Sequence, residues 1–386
     1  MATKQERIIN KDLQISAFLG RYDSDTIKNY ENALAEISSM IIDSLESVTD
    51  EQARRQLIRL QESIRIEFQR LGMQAQADLI RDMQETAQAQ YQSTVGMMAD
   101  IFPEVNISQA AAFQMPREAF VAVTDPERLI TVSSGKKKKR YRPADEIERI
   151  TKQSFNKYSK IVGSAVLRGV GNRDIMEELE QSLDIQTSKA RAQVQAVTRT
   201  TISDGMEKSR IEAFSLFDDV IVGWMWNAVL DNRTSLGCAS LNGRVEKRRI
   251  LLPRIPRHFN CRSTCSPVTD FDDIENIMQR YHIRDKKEVK TRDGFKETKF
   301  KNAETGIKKI KNPVEDKNKS ASDVWFDSMP EVEILKNGKE INWKKEYLGP
   351  AKYELYLNHG LKFSDMVADR TLRPLSIKEI RQNLGI

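Results

Sequence analysis

Apolar positions recur at spacings of three and four along the first part of the chain. Ile27, Tyr30, Leu34, Ile37, Ile41 and Leu45 form one series, and Leu57, Leu60, Ile64, Phe68 and Leu71 form a second. A repeat near 3.6 sets each series along one helix face, so the spacing predicts two amphipathic helices. Thr49-Asp50 offers a cap between them, and Leu71-Gly72 a stop. Such stripes suit mutual packing in a bundle, or the seating of a partner helix.

The pattern breaks from Ile101 to Val132. Pro103, Pro116 and Pro126 interrupt it, AFVAV and LITV lean towards strand, and SSGKKKKRYRP reads as a basic linker. Helices resume at Pro143, where proline in the first turn and the acids Asp145 and Glu146 favour a start. GVGN at 169 to 172 ends that helix, Asn172 caps DIMEELEQSL, and a further long helix is expected from about Ser188 to Phe217.

The period then changes to two. In VIVGWMWNAVL, residues 220 to 230, Val220, Val222, Trp224, Trp226 and Ala228 share one side and Ile221, Met225 and Val229 the other. Both sides are apolar, which predicts a strand buried between layers. LNGR at 241 to 244 signals a tight turn, because Asn-Gly accepts positive φ. CRSTCSPVTDF reads as a returning strand, and KEVKTRDGFKETKF as an exposed hairpin turning at Asp293-Gly294. The tail carries the apolar anchors Trp325, Phe326, Trp343, Tyr347, Leu348 and Leu361, and closes on a short helix that Ser376 caps.

These elements predict an α+β protein. Residues 1–100 form a helical N-terminal domain and 101–143 an irregular segment with a basic linker. Residues 144–282 form a core of helices followed by a small antiparallel sheet with a Cys/His loop cluster, 283–320 a basic hairpin insertion, and 321–386 a short mixed segment.

Composition narrows the class. Hydrophobic residues at 39% and charged residues at 31% describe a soluble globular chain. The charged start MATKQERIINKDLQ reads as no secretory signal, and no window reaches the roughly 18 apolar residues of a membrane span. Three cysteines in 386 residues point to a reducing compartment. The net charge is +6, and the window from Arg284 to Lys319, with thirteen Lys or Arg against seven acids, carries an equal excess. Within it, Lys286, Lys287, Lys290, Lys296, Lys299, Lys301, Lys308, Lys309 and Lys311 are candidate contacts to a polyanion such as DNA, against the plainer reading of a solvated loop. The same two readings apply to KKKKR at 136 to 140.

All three cysteines fall within 28 positions, with one of the three histidines. Cys238, His258, Cys261 and Cys265 give C-x19-H-x2-C-x3-C, a donor set that tetrahedral zinc accepts. The alternatives are small buried hydrophobes or a disulfide. A metal-dependent nuclease using His258 and Asp231 is the rival enzymatic reading, although no phosphate-cradling glycine loop or nucleophile elbow occurs. Asp231 is expected to close the turn through the amides of Arg233 and Thr234, Gly243 to make the tight turn, Pro253 and Pro256 to stiffen the connection, and Arg262 to tie loop carbonyls or a carboxylate.

The order of these residues resembles the phage head morphogenesis proteins, minor capsid proteins of the phage Mu F type. The resemblance rests on Trp224, Trp226, Ala228, Asp231, Arg233, Thr234, Cys238, Leu241, Gly243, Pro256, His258, Cys261 and Arg262, with Arg199 and Thr200 in the helix before them. It covers roughly 145 to 270 well, 324 to 386 loosely and the N-terminal helices hardly at all. Two positions depart from it: many relatives have cysteine where this chain has Ser235 and where it has Ser263, so a four-cysteine zinc site cannot form. The resemblance implies a non-enzymatic, low-copy virion protein made in the host cytoplasm. It would be recruited to the procapsid by portal protein, scaffold or major capsid protein, touch packaged DNA without sequence preference, and use no membrane.

Overall fold

In a computed structural model of the chain, the described residues are 3–19, 24–46, 48–134, 137–230, 233–269, 323, 326–327, 333–334, 340–368 and 374–386. The fold is mostly helical with small antiparallel sheets, an α+β architecture. Helices α1 (Lys4–Leu19), α2 (Asp25–Glu46) and α3 (Asp50–Ile101) come first. Short α4 (Gln109–Phe113) and α5 (Arg117–Thr124) lead to the hairpin β1 (Ile130–Ser134) and β2 (Lys137–Tyr141). Then come α6 (Pro143–Arg168) and α7 (Arg173–Phe214). No helix among the described residues is long and apolar enough to cross a membrane.

The two predicted stripes are buried as bundle core, where Leu34, Ile37, Ile41, Ile64 and Phe68 meet Ile150, Tyr158 and Val162 of α6 and Leu183 and Val194 of α7. Thr49 closes a capping box with Gln52 at the start of α3. Gly72 does not stop that helix. The whole helix is 52 residues long, about 78 Å at 1.5 Å per residue. A Cβ at Gly72 would stand 3.4 Å from Thr151 Cγ2, so the glycine lets α6 lie close. The predicted break before Ser188 is also absent, since no glycine or proline interrupts 173 to 204 and α7 passes through unbroken. The α6–α7 turn instead uses Gly169 at φ 110°, with Asp50 Oδ1 accepting from Gly171 N at 2.8 Å.

AFVAV forms α5, not strand. Phe120 and Val123 lie three apart and pack with Val95, Met98 and Phe214, and that burial outweighs the β preference of valine. The basic run is likewise no linker, because Lys137–Tyr141 pairs antiparallel with Ile130–Ser134. Alternation buries Ile130, Val132 and Tyr141 and leaves Lys138 and Arg140 exposed. One hydrophobic core joins α2, α3, β1, β2, α6 and α7, crossing the boundaries drawn at 100 and 143.

After a 3-10 turn (Ser215–Val220) the chain enters β3 (Gly223–Asn227). The strand is shorter than the apolar run, since Val220 lies in the turn and Val222 is exposed. Helix α8 (Leu236–Ala239), β4 (Val245–Glu246), a 3-10 turn (Arg249–Leu251) and β5 (Thr264–Val268) complete a sheet of order β4-β3-β5. The returning strand pairs as expected, with Trp226 opposite Cys265 and Met225 opposite Ser266. Gly243 adopts φ 81° and donates its N–H to the Trp226 carbonyl at 2.9 Å.

The tail contributes β6 (Glu333–Ile334), β7 (Glu340–Ile341), α9 (Trp343–Leu348), α10 (Pro350–His359) and α11 (Ile377–Leu384), which Ser376 caps in a capping box. Phe326, Phe363 and Met366 share a core with Trp226, Cys238, Leu241 and Cys261. Tyr347 Oη donates to the Thr234 carbonyl at 2.7 Å. The tail therefore closes over the Cys/His loops. Trp325, the basic window with its predicted hairpin and lysines, and Asp231 lie outside the described residues.

Candidate metal centre

Three of the four predicted ligands converge. Ser235 caps α8, its Oγ accepting from Cys238 N at 3.3 Å, which fixes Cys238 in the helix's first turn. His258 and Cys261 sit on the turn before β5, where Cys261 N donates to the His258 carbonyl at 3.1 Å. That turn includes Asn260 at φ 57°, in the left-handed region that asparagine tolerates, and Asn260 N donates to Thr200 Oγ1 at 3.0 Å. Thr200 on α7 thus holds the loop, and Arg257 Nη1 ties it to the Gly237 carbonyl at 2.7 Å.

The ligand atoms of Cys238, His258 and Cys261 all lie within 4.8 Å of one another. Cys238 Sγ is 3.2 Å from His258 Nε2 and 3.9 Å from Cys261 Sγ. Tetrahedral zinc with Zn–S near 2.3 Å and Zn–N near 2.05 Å has donor–donor edges of about 3.6–3.8 Å. The two edges at Cys238 are within a few tenths of an ångström of those values, and the third, between His258 and Cys261, is no longer than 4.8 Å, so the three donors need a closure of at most about 1 Å to share a zinc. His258 Nδ1 stands 2.8 Å from the Phe259 carbonyl, so Nδ1 carries the proton and the Nε2 lone pair faces the thiols. Ser235 Oγ, 2.9 Å from Nε2, stands where a fourth donor belongs. The residues fit a Cys2His set completed by a hydroxyl or water.

Electrostatics points the same way. The Cys238 thiol is pulled down to about 6, chiefly because Cys261 donates to it. The Ser235 and Ser263 hydroxyls and the Arg257 charge help, against burial. Cys238 is thus a thiolate at neutral pH, while its partner Cys261, the donor and itself buried, is held well above the usual thiol range. A metal takes only thiolate, so loading releases the Cys261 proton.

Cys265 is not part of the cluster. As the strand partner of Trp226 it meets the charges of Glu207, Arg249, Arg210 and Asp12, and burial pushes its thiol up. All three cysteines are free, so no disulfide forms. Of the other predicted residues, Trp226 is fully buried, Thr234 Oγ1 donates to the Val229 carbonyl, and Arg199 and Arg262 are half-buried. Arg233 is exposed.

Two polar networks escaped the sequence reading. Asp12 of α1 pairs with Arg210 at 2.5 Å, and Glu207 bridges Arg210 and Arg249 at 2.9 and 3.1 Å. Asp204 gathers Arg128, Lys208 and Arg254. The signal for the second was readable, since KRRILLPRIPR, 247 to 257, holds five cations and no acid. Comparisons with known protein families, with characterised proteins and with solved structures returned no match.

Proposed function

We propose that this chain is a structural minor head protein of a tailed phage. It is recruited to the procapsid by portal protein, scaffold or major capsid protein, and serves head assembly and the packaging or ejection of DNA. One observation carries the reading: residues on which the resemblance rests, spread from 199 to 262, meet in a single module. Thr200 holds the Asn260 amide, Gly243 closes onto Trp226, and Cys238, His258 and Cys261 come together beneath the tail. That convergence supports the reading, since a motif shared by a fold should gather its residues in one place.

Within this reading the Cys/His cluster is a staple. Zinc, when bound, supplies a cross-link between the α8 turn and the loop before β5, and the chain supplies Cys238, Cys261 and His258 as its ligands. Both cysteines are 2% exposed, and His258 is held by the Phe259 carbonyl at Nδ1 and the Ser235 hydroxyl at Nε2, which suits a structural site. The long helices and the tail are then fastened to a rigid centre. Mass spectrometry of purified virions and procapsids of the encoding phage tests the proposal. The chain should be present at low copy in both, and its absence from both would end the reading.

A further inference from the structure

Two carboxylate clusters lie one turn apart on α7 and differ in charge balance. Around Glu207, the carboxylates of Glu207 and Asp12 face Arg210 and Arg249, two against two, and no side chain is more than 17% exposed. Around Asp204, one fully buried carboxylate faces three cations: Arg128 at 3.1 Å, Lys208 at 2.9 Å and Arg254 at 3.3 Å. Arg128 is buried and its other nitrogens donate to the Val123 and Thr201 carbonyls, so it alone suffices to neutralise Asp204. Lys208 and Arg254 are surplus, with side chains 35% and 50% exposed.

Further cations lie in the same loop as Arg254 and in the hairpin fastened to it. Arg249 is engaged by Glu207 and Arg257 by the Gly237 carbonyl, but Lys247 and Arg248 are exposed and have no carboxylate partner among the described residues. The β1–β2 hairpin is fastened to the same loop by Ser133 N, which donates to the Arg257 carbonyl at 2.7 Å. Its outward positions Lys138 and Arg140 likewise have no carboxylate partner among the described residues. Lys208 is held below the usual lysine range, first by burial, with Arg128 and Arg254 pushing the same way. An anion arriving beside it relieves that crowding.

We propose that this face is a binding site for the phosphate backbone of duplex DNA, with Lys208 and Arg254 at its centre and Lys247, Arg248, Lys138 and Arg140 around them. Backbone hydrogen bonds and buried pairs fix three separate segments in place; the hairpin at 130–141 and the loop at 247–257 hold cations and no acid, and on α7 the acid beside Lys208 is already neutralised by Arg128. A repeating polyanion read without sequence suits that arrangement. Its residues are other than the lysines at 286 to 311, and its existence does not depend on whether the chain enters a particle.

Titration of the full chain with a short mixed-sequence duplex at several salt concentrations tests it. Log affinity should fall linearly with log salt. Lys208→Gln with Arg254→Gln should flatten that slope by about 0.9 for each phosphate that the variant no longer neutralises. Arg128 remains to pair Asp204, so the fold should persist, and the thermal midpoint checks this. Should that pair unfold the chain, Lys247→Gln with Arg248→Gln, at exposed unpaired positions, asks the same question. Slopes unchanged in the folded variants overturn the proposal. Loss of portal-protein binding with DNA binding intact would give the face to a protein partner and overturn it too; Ile250, 83% exposed in the same loop, is the handle such a partner would take.

Discussion

Asp12 carries a pH dependence opposite in sign to that of most salt-bridged carboxylates. It is fully buried, pairs with Arg210 at 2.5 Å and accepts from the Ser266 hydroxyl. Burial raises its carboxyl from 3.8 to about 6, outweighing the pull of Arg210 and Ser266, with Glu207 adding to the rise. A carboxyl that titrates higher in the folded chain binds more protons folded than unfolded between those two values. Stability therefore falls as pH rises from 3.8 to about 6. A difference of about two units corresponds to about 3 kcal/mol. Asp12→Asn removes the titration and keeps an acceptor for Ser266. Urea unfolding followed by the fluorescence of Trp224 and Trp226, whose strand lies against α1, reads the effect across that window. The stability advantage of the natural chain over Asp12→Asn should shrink by about 3 kcal/mol from the acid end to neutrality. A gap that widens with pH would mean that the carboxylate is ionised throughout and that the pair acts as an ordinary stabilising bridge.

Further outcomes follow from the same geometry. Protein purified without chelator should hold roughly one zinc per chain. Cys238→Ser or Cys261→Ser should lose it, and Ser235→Cys should hold it more firmly against a competing chelator; a metal-free natural chain as stable as one incubated with zinc would refute the staple. Because Cys261 must give up a proton held well above the usual thiol range, zinc affinity should rise with pH through neutrality, which chelator competition at two pH values measures. Trp226→Ala, at a fully buried position in the core that the tail shares, should cost about 3–5 kcal/mol in denaturant unfolding, and a cost below about 1 kcal/mol would show that the site collapses freely. Gly243→Ala places a side chain at φ 81° and should cost about 1–2 kcal/mol with zinc content unchanged.

What was legible in the sequence was whatever depends on local period. The stripes of Ile27 to Leu45 and Leu57 to Leu71, the capping residues Thr49, Asn172 and Ser376, and the β3–β5 pairing were all readable from spacing, because helix and strand impose periods of 3.6 and 2. What misled were signals whose sense depends on tertiary neighbours. Gly72 looks like a stop until α6 is seen to need the room, and KKKKR looks like a linker until Tyr141 is found stacked on Phe259 at 5.4 Å with Lys139 over the same ring. The metal ligands divide along the same line. His258 and Cys261 share one turn, so their spacing of three predicted their meeting, while the choice of Cys238 over Cys265 rests on which way a strand faces. Pairing Cys265 with Trp226 commits it to the Glu207–Arg210 side, and the hydroxyl at Ser235 is left to stand beside His258. A sequence can propose four donors, but only the packing of β5 against α7 decides which three share a centre. The same packing places Arg254 beside Asp204, so one loop both positions His258 and presents cations to solvent.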